Sequence, residues 1–117
     1  MHSSAVLVAA ALAASATTTA LAISCYNATQ CTTCETTASL NSAAQAFCSA
    51  SGWERTNFLP WGNAQIMLEG SLDSQQTCLQ GIANIVNQCY GVRDGGIFTF
   101  TSPGHNARLD VDFCSCE

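Results

Sequence analysis

The 117-residue chain contains no lysine. Its only strong cations are Arg55, Arg93 and Arg108, set against eight carboxylates (Glu35, Glu54, Glu69, Asp73, Asp94, Asp110, Asp112 and Glu117), for a formal net charge of −5. Nucleic acids and anionic membranes are held by clustered cations, so no nucleic-acid partner is expected and neutral partners fit better. Long apolar runs are missing too. A bilayer core needs roughly 20 predominantly apolar residues, whereas the run Ala5 to Ala14 breaks at Ser15 and Thr17-Thr18-Thr19; no stable membrane insertion is expected. Histidine is scarce, with His2 and His105 alone, which leaves little material for imidazole acid-base chemistry.

The short apolar run reads as an address. Ala20-Leu21-Ala22 has the small-x-small form of a signal peptidase site, so residues 1–22 are expected to be a signal peptide, cleaved before Ile23, and residues 23–117 the mature, secreted domain. Met1-His2-Ser3-Ser4 lacks the usual basic residue, and Ala14-Ser15-Ala16 is a second site of the same form. A mature chain of this size makes one small domain with a modest core. What it has instead is cysteine. Cys25, Cys31, Cys34, Cys48, Cys78, Cys89, Cys114 and Cys116 all lie in the mature part, an even number in a secreted chain and hence a framework of four disulfides. Each bridge across some tens of residues stabilises by about 2–4 kcal/mol.

The periodicities predict an α+β domain, two helices packed on a small antiparallel sheet that ends in a C-terminal hairpin. In Gly96 to Thr101 and Arg108 to Phe113 apolar residues alternate with polar ones, the pattern of half-buried strands. Ser102-Pro103-Gly104-His105-Asn106 between them carries turn residues. Leu40, Ala43, Ala44, Phe47 and Cys48 share one helical face over Thr37 to Ser51, ended by Gly52 and capped by Thr36, Thr37 or Ser39. Leu72, Cys78, Leu79, Ile82, Ile85, Val86 and Cys89 mark a second helix from Ser71 or Asp73 to Tyr90, weakened by Gly81. Cys78 and Cys89 stand three turns apart, so they cannot bond each other; Cys114 and Cys116, two apart on one strand face, are geometrically plausible partners among pairings the sequence does not fix. Trp53 to Gly70 is the least regular stretch, expected as a second hairpin or a strand with a long loop, with Pro60-Trp61-Gly62-Asn63 as its break. Cys25, Cys31 and Cys34 pin an irregular N-terminal segment. Asn27-Ala28-Thr29 is a glycosylation acceptor in a secreted chain.

Other chemistries find weaker support. Cys31-Thr32-Thr33-Cys34 before a helix has the spacing of a redox site, but without a βαβ setting a structural role is expected. Glu54, Arg55, His105 and Arg108 match a secreted ribonuclease in residue type only, with no motif spacing. Asp94, Asp110 and Asp112 have no calcium-loop pattern, and Arg108 beside them makes an ordinary polar strand face. No metal, cofactor or catalytic residue is expected. Carbohydrate recognition suits the aromatic inventory, because a sugar's apolar face packs on an indole while Asn, Asp and backbone groups satisfy its hydroxyls. The expected ligand-binding residues are Trp61, held by Pro60 and Gly62 in a turn outside the core, with Trp53, Asn63, Tyr90 and Asp94.

Cys78-(10 residues)-Cys89-Tyr90-Gly91, Asp94-Gly95-Gly96, and Leu109-Asp110-Val111-Asp112-Phe113-Cys114-Ser115-Cys116-Glu117, with Ala46-Phe47-Cys48 and Gly52 in the first helix, resemble small secreted fungal proteins of the mushroom glycan-binding type. The resemblance implies a single α/β domain with four disulfides and a lectin-like role; a non-enzymatic part in defence or cell-surface recognition is expected, with cell-surface glycan as the partner and the chain a monomer or weak homodimer. The related alternative is a killer-toxin-like effector acting on a cell-surface protein or channel. Hydrophobins, which also carry eight cysteines, are excluded because no adjacent Cys-Cys pair is present.

Overall fold

A computed structural model describes residues 19–27 and 31–116; most of the expected signal peptide and the last two residues of the Asn27 acceptor lie outside them. The described residues form strands β1 (Ala20–Cys25) and β2 (Thr33–Cys34), helix α1 (Thr37–Ser49), strands β3 (Asn57–Trp61) and β4 (Ala64–Gly70), helix α2 (Gln75–Cys89), and strands β5 (Gly95–Ser102), β6 (His105–Asp112) and β7 (Cys114–Ser115). Five strands make an antiparallel sheet in the order β1-β5-β6-β4-β3, and β2 pairs with β7 as a separate ribbon. Both helices cover one face of the large sheet, and the other face is open. The expected α+β architecture is the one observed.

Local chemistry explains the elements. Thr36 caps α1 through its hydroxyl, which accepts from the Ser39 N–H at 3.1 Å, and Ser74 caps α2 by accepting from Thr77 N–H at 3.1 Å; each satisfies a donor that the helix leaves unpaired. The apolar stripes are buried as periodicity requires: Leu40, Ala43, Ala44, Phe47 and Cys48 on α1, and Cys78, Ile82, Ile85, Val86 and Cys89 on α2. Gly81 also lies in this interface, where an added Cβ would stand 2.8 Å from the Phe98 ring. Its cost to helix propensity is set against close seating of α2 on the sheet. Beneath the helices lie Ile66 and Leu68 of β4, Phe98 and Phe100 of β5, and Leu109 and Val111 of β6, all buried. Each such aliphatic or aromatic side chain stabilises by about 1.5–3 kcal/mol.

The disulfide pairing corrects the expectation for the helices. Cys78 bonds Cys48, joining α2 to α1, and Cys89 bonds Cys25, fastening the end of α2 to edge strand β1. Cys114 and Cys116 bond Cys34 and Cys31 instead. They lie beyond β6, at the sheet end where the cysteine-rich segment crosses, whereas Cys78 lies against α1. Those two bridges close separations of 80 and 85 residues, the long loops whose closure most restricts an unfolded chain.

The irregular stretch is a tight hairpin. Its break is narrower than expected: Pro60 and Trp61 belong to β3, Trp61 pairs with Ala64, and only Gly62-Asn63 turn. Gly62 has φ +60°, the left-handed value needed at the first central position of a II′ hairpin loop. Trp61 is therefore not an outward-facing turn residue. In register with Leu59 and Asn57 it points to the helix side of the sheet, half-buried against the core, and its Nε1–H donates to Ser39 Oγ at 3.1 Å.

Candidate functional site: a groove at the end of the open sheet face

Strand alternation puts Pro60, Gln65, Met67, Glu69, Arg108, Asp110, Asp112, Gly95, Ile97 and Thr99 on the open face. At the end nearest the β2–β7 ribbon this face runs into a groove of about 670 Å³, bounded by the β3–β4 turn on one side and Tyr26 on the other. Gly95 makes its floor possible. The Tyr26 ring lies directly over it, so that a Cβ there would sit 2.8 Å from Tyr26 Cε2 and 2.2 Å from the Val111 carbonyl. The Tyr26 hydroxyl donates to Asp110 Oδ1, and its backbone N–H to the Gly95 carbonyl at 2.9 Å. An aromatic ring is thereby fixed on one wall of a groove to which Asn63, Gln65, Asp112 and Ser115 supply polar atoms.

Glu35 holds the opposite wall. Its Oε2 accepts from the Asn63 backbone N–H at 2.7 Å and from Asn63 Nδ2 at 3.2 Å, while Oε1 accepts from Ser39 Oγ at 2.7 Å. The backbone bond to Asn63, with the Ser39 hydroxyl next, holds the Glu35 carboxyl below its usual range. The Glu35 main chain is tied as well, its N–H to Phe113 O at 3.0 Å and its carbonyl to Tyr90 Oη–H at 2.6 Å. One residue thus binds the groove's turn, the start of α1, the end of α2 and the C-terminal segment to each other.

Of the expected ligand contacts, the structure brings Asn63 and Asp94 into the groove. Asp94 is only 5% exposed and its two carboxylate oxygens accept from Cys31 N–H at 2.8 and 3.0 Å, so it anchors the cysteine-rich segment. Tyr90 lines a neighbouring cavity of about 160 Å³, packs on Phe113 with ring centroids 5.3 Å apart and is engaged by Glu35. Trp53 and Trp61 are half-buried against the core outside the groove. Tyr26, Gln65 and Asp112 were not expected there. The glycine pair Asp94-Gly95-Gly96 was the available signal, since glycine in a strand marks close approach of another group.

The carboxylates around the groove each accept from a protein donor and keep lone pairs for a further one. Asp112 Oδ1 accepts from Cys114 N–H at 3.2 Å, and Asp110 meets Arg108 at 3.8 Å besides Tyr26. Burial, and then the Asp112 charge, raises the Asp110 carboxyl; burial also raises Asp112, partly offset by the Cys114 N–H and reinforced by Asp94. Cys31, Asp94 and Cys116 cluster closely, but the two sulfurs are bonded to each other and so are not thiolate ligands. Among the described residues no hydrogen bond or ion pair joins Glu54, Arg55, His105 and Arg108 to one another; the His105 ring meets Ser71 Oγ at 3.3 Å. No described helix is long and apolar enough to cross a membrane.

A disulfide-stapled domain of this size, with an aromatic side chain fixed beside amide, carboxylate and hydroxyl groups in an open groove, has the makings of a sugar-binding module. The family comparison makes that class specific. Residues 35–117 match the model of the alpha-galactosyl binding lectin family, and the chain belongs to that family: it is a lectin-like, glycan-binding protein. No curated protein matches it.

Proposed function

We propose that the protein is a secreted lectin that binds a terminal α-linked galactosyl residue in the groove between Tyr26 and the β3–β4 turn. The observation that carries this is the Tyr26 ring seated on Gly95, which offers an apolar surface beside Asn63, Gln65, Asp112 and Ser115. Galactose has one apolar ring face and a girdle of hydroxyls. Tyr26 takes the first, and amide and carboxylate groups take the second. Binding rather than catalysis is the activity, and glycans on a cell surface are the partner, recognised in defence or in cell-surface contact. Four bridges require an oxidising compartment, which agrees with export after cleavage before Ile23. That cut leaves Ile23–Cys25, including the Cys25 bridge to α2, as the edge strand.

A glycan array followed by calorimetry tests this. The expected result is signal on α-galactosyl-terminated glycans that methyl α-galactoside competes away. Tyr26→Ala should weaken binding by about 1 kcal/mol, the scale of one aromatic contact. Signal confined to β-linked termini would refute the linkage assignment, and unchanged affinity in both Tyr26→Ala and Gln65→Ala would move the site elsewhere. Binding abolished only by stripping cell-surface proteins, with a silent array, would favour the toxin-like effector.

A further inference from the structure

Beyond Asp112 the same sheet face carries a second, separate cavity. Side chains on one face of a strand recur every second residue, about 7 Å apart, so Gln65 is followed on β4 by Met67 and Glu69, and Asp112 on β6 by Asp110 and Arg108. These four line a second cavity of about 230 Å³ on the same face. Asp110 belongs to both neighbourhoods: Oδ1 accepts from Tyr26, the wall of the first groove, and Oδ2 faces Arg108, in the second. Phe58 pairs with Met67 across β3–β4 and is 51% exposed, with Met67 at 37%, so an apolar edge flanks a polar pocket.

We infer that this cavity is a second hexose subsite, and that the ligand is an oligosaccharide laid along β4 and β6 with its terminal galactosyl residue in the Tyr26 groove. The inference rests on that groove being the glycan site. The chemistry favours a neutral sugar. The Arg108 side chain is half exposed and contacts Asp110 only at 3.8 Å, so its fork of N–H donors is open to hydroxyl oxygens, while Glu69 and Asp110 accept from hydroxyl hydrogens. Two carboxylates against one guanidinium disfavour an anionic ligand. Phe58 and Met67 offer C–H and ring surface at the rim.

Calorimetry on the full chain distinguishes the two sites, using methyl α-galactoside and a trisaccharide with the same terminal residue. The trisaccharide should bind about fivefold more tightly, the ratio that one aromatic contact of about 1 kcal/mol supplies. Arg108→Ala and Phe58→Ala should each reduce trisaccharide affinity toward that of the monosaccharide and leave monosaccharide affinity unchanged. Both positions are exposed, and a thermal melt of each variant verifies folding. Equal affinities for the two sugars in the unaltered protein overturn the second subsite but leave the groove standing. Failure of both sugars to bind removes the groove and this inference with it. If Phe58→Ala dissociates a dimer in sedimentation and spares the affinity difference, the face joins two copies of the chain, and the subsite is refuted.

Discussion

The two faces of the five-stranded sheet are built from the same strands and share almost nothing else. On β6, Ala107, Leu109 and Val111 are buried under the helices, while Asn106 and Arg108 are exposed and Asp110 and Asp112 half-buried on the other side. On β4, Ala64, Ile66 and Leu68 face inward and Gln65, Met67 and Glu69 outward. The covered face is fixed by apolar burial and by the Cys48–Cys78 and Cys25–Cys89 bridges. The open face is fixed by hydrogen bonds from groups that arrive from elsewhere: Tyr26, Glu35 and the C-terminal segment. Stability is concentrated on one side of the sheet and the proposed sugar site lies on the other, so substitutions at adjacent positions should have effects of different kinds.

Adjacent residues of β6 give the largest contrast. Leu109→Ala should destabilise by about 2–5 kcal/mol, the range for truncating a buried leucine, whereas Arg108→Ala should stay within about 0.5 kcal/mol, as exposed positions do. Urea denaturation measures both, and similar costs would erase the distinction between faces. Trp61→Ala comes next. Because the indole packs toward α1 and donates to Ser39, its loss should cost about 2 kcal/mol of stability, less than a fully buried tryptophan, with little direct effect on sugar affinity. A large loss of affinity in a variant of unaltered stability would place Trp61 in the site after all.

Glu35 sharpens the comparison because it shapes the groove without belonging to its lining. Glu35→Ala releases the Gly62-Asn63 turn and should weaken glycan binding several-fold while the calorimetric unfolding enthalpy, which reflects the core, changes little. Glu35→Gln keeps one acceptor and should restore part of the affinity. Failure of both variants to alter binding would show that the turn holds its shape without that carboxylate.

The smallest expected effect is on pH dependence. Asp110 and Asp112 are raised above their ordinary value of 3.8, so the folded state takes up these protons before the unfolded state does. Their contribution to stability therefore rises as pH falls through the folded pKa values toward 3.8, and is complete below it. Glu35 is lowered from 4.5, so its stabilising contribution is present above 4.5 and lost as pH falls through its folded value. Asp112→Asn should accordingly make the protein slightly more stable at neutral pH and flatten the rise on mild acidification. A melting-temperature series in pH checks the sign; a variant less stable at neutral pH would contradict it.

How much of this was legible in the chain follows from the range over which each signal acts. The strand alternation in Gly96 to Phe113 and the stripes of Leu40 to Cys48 and Leu72 to Cys89 are periodicities of a few residues, set by backbone geometry. They appear in the structure with boundaries shifted by a few residues at most, and Thr36 caps the first helix as expected, whereas the Ser74 cap of the second was not foreseen. Trp61 was misplaced because Pro60 and Gly62 announce a turn without saying on which side of it the indole falls, and one residue of register reverses the face. Tyr26 was legible only as an aromatic near a segment end. Nothing local says that it crosses to Gly95, some seventy positions away.

The sequence by itself therefore determined the two helices, the hairpin strands, which side chains enter the core, and the need for four bridges, because each depends on near-neighbour spacing or on composition. The tertiary structure alone decided which cysteine meets which, that Asp94 anchors the Cys31 segment, that Glu35 locks the Asn63 turn, and that Tyr26 and Asp112 share a groove. Those are contacts between positions distant in the chain. They are selected by which ends of packed elements coincide in space, a property that no window of the sequence contains.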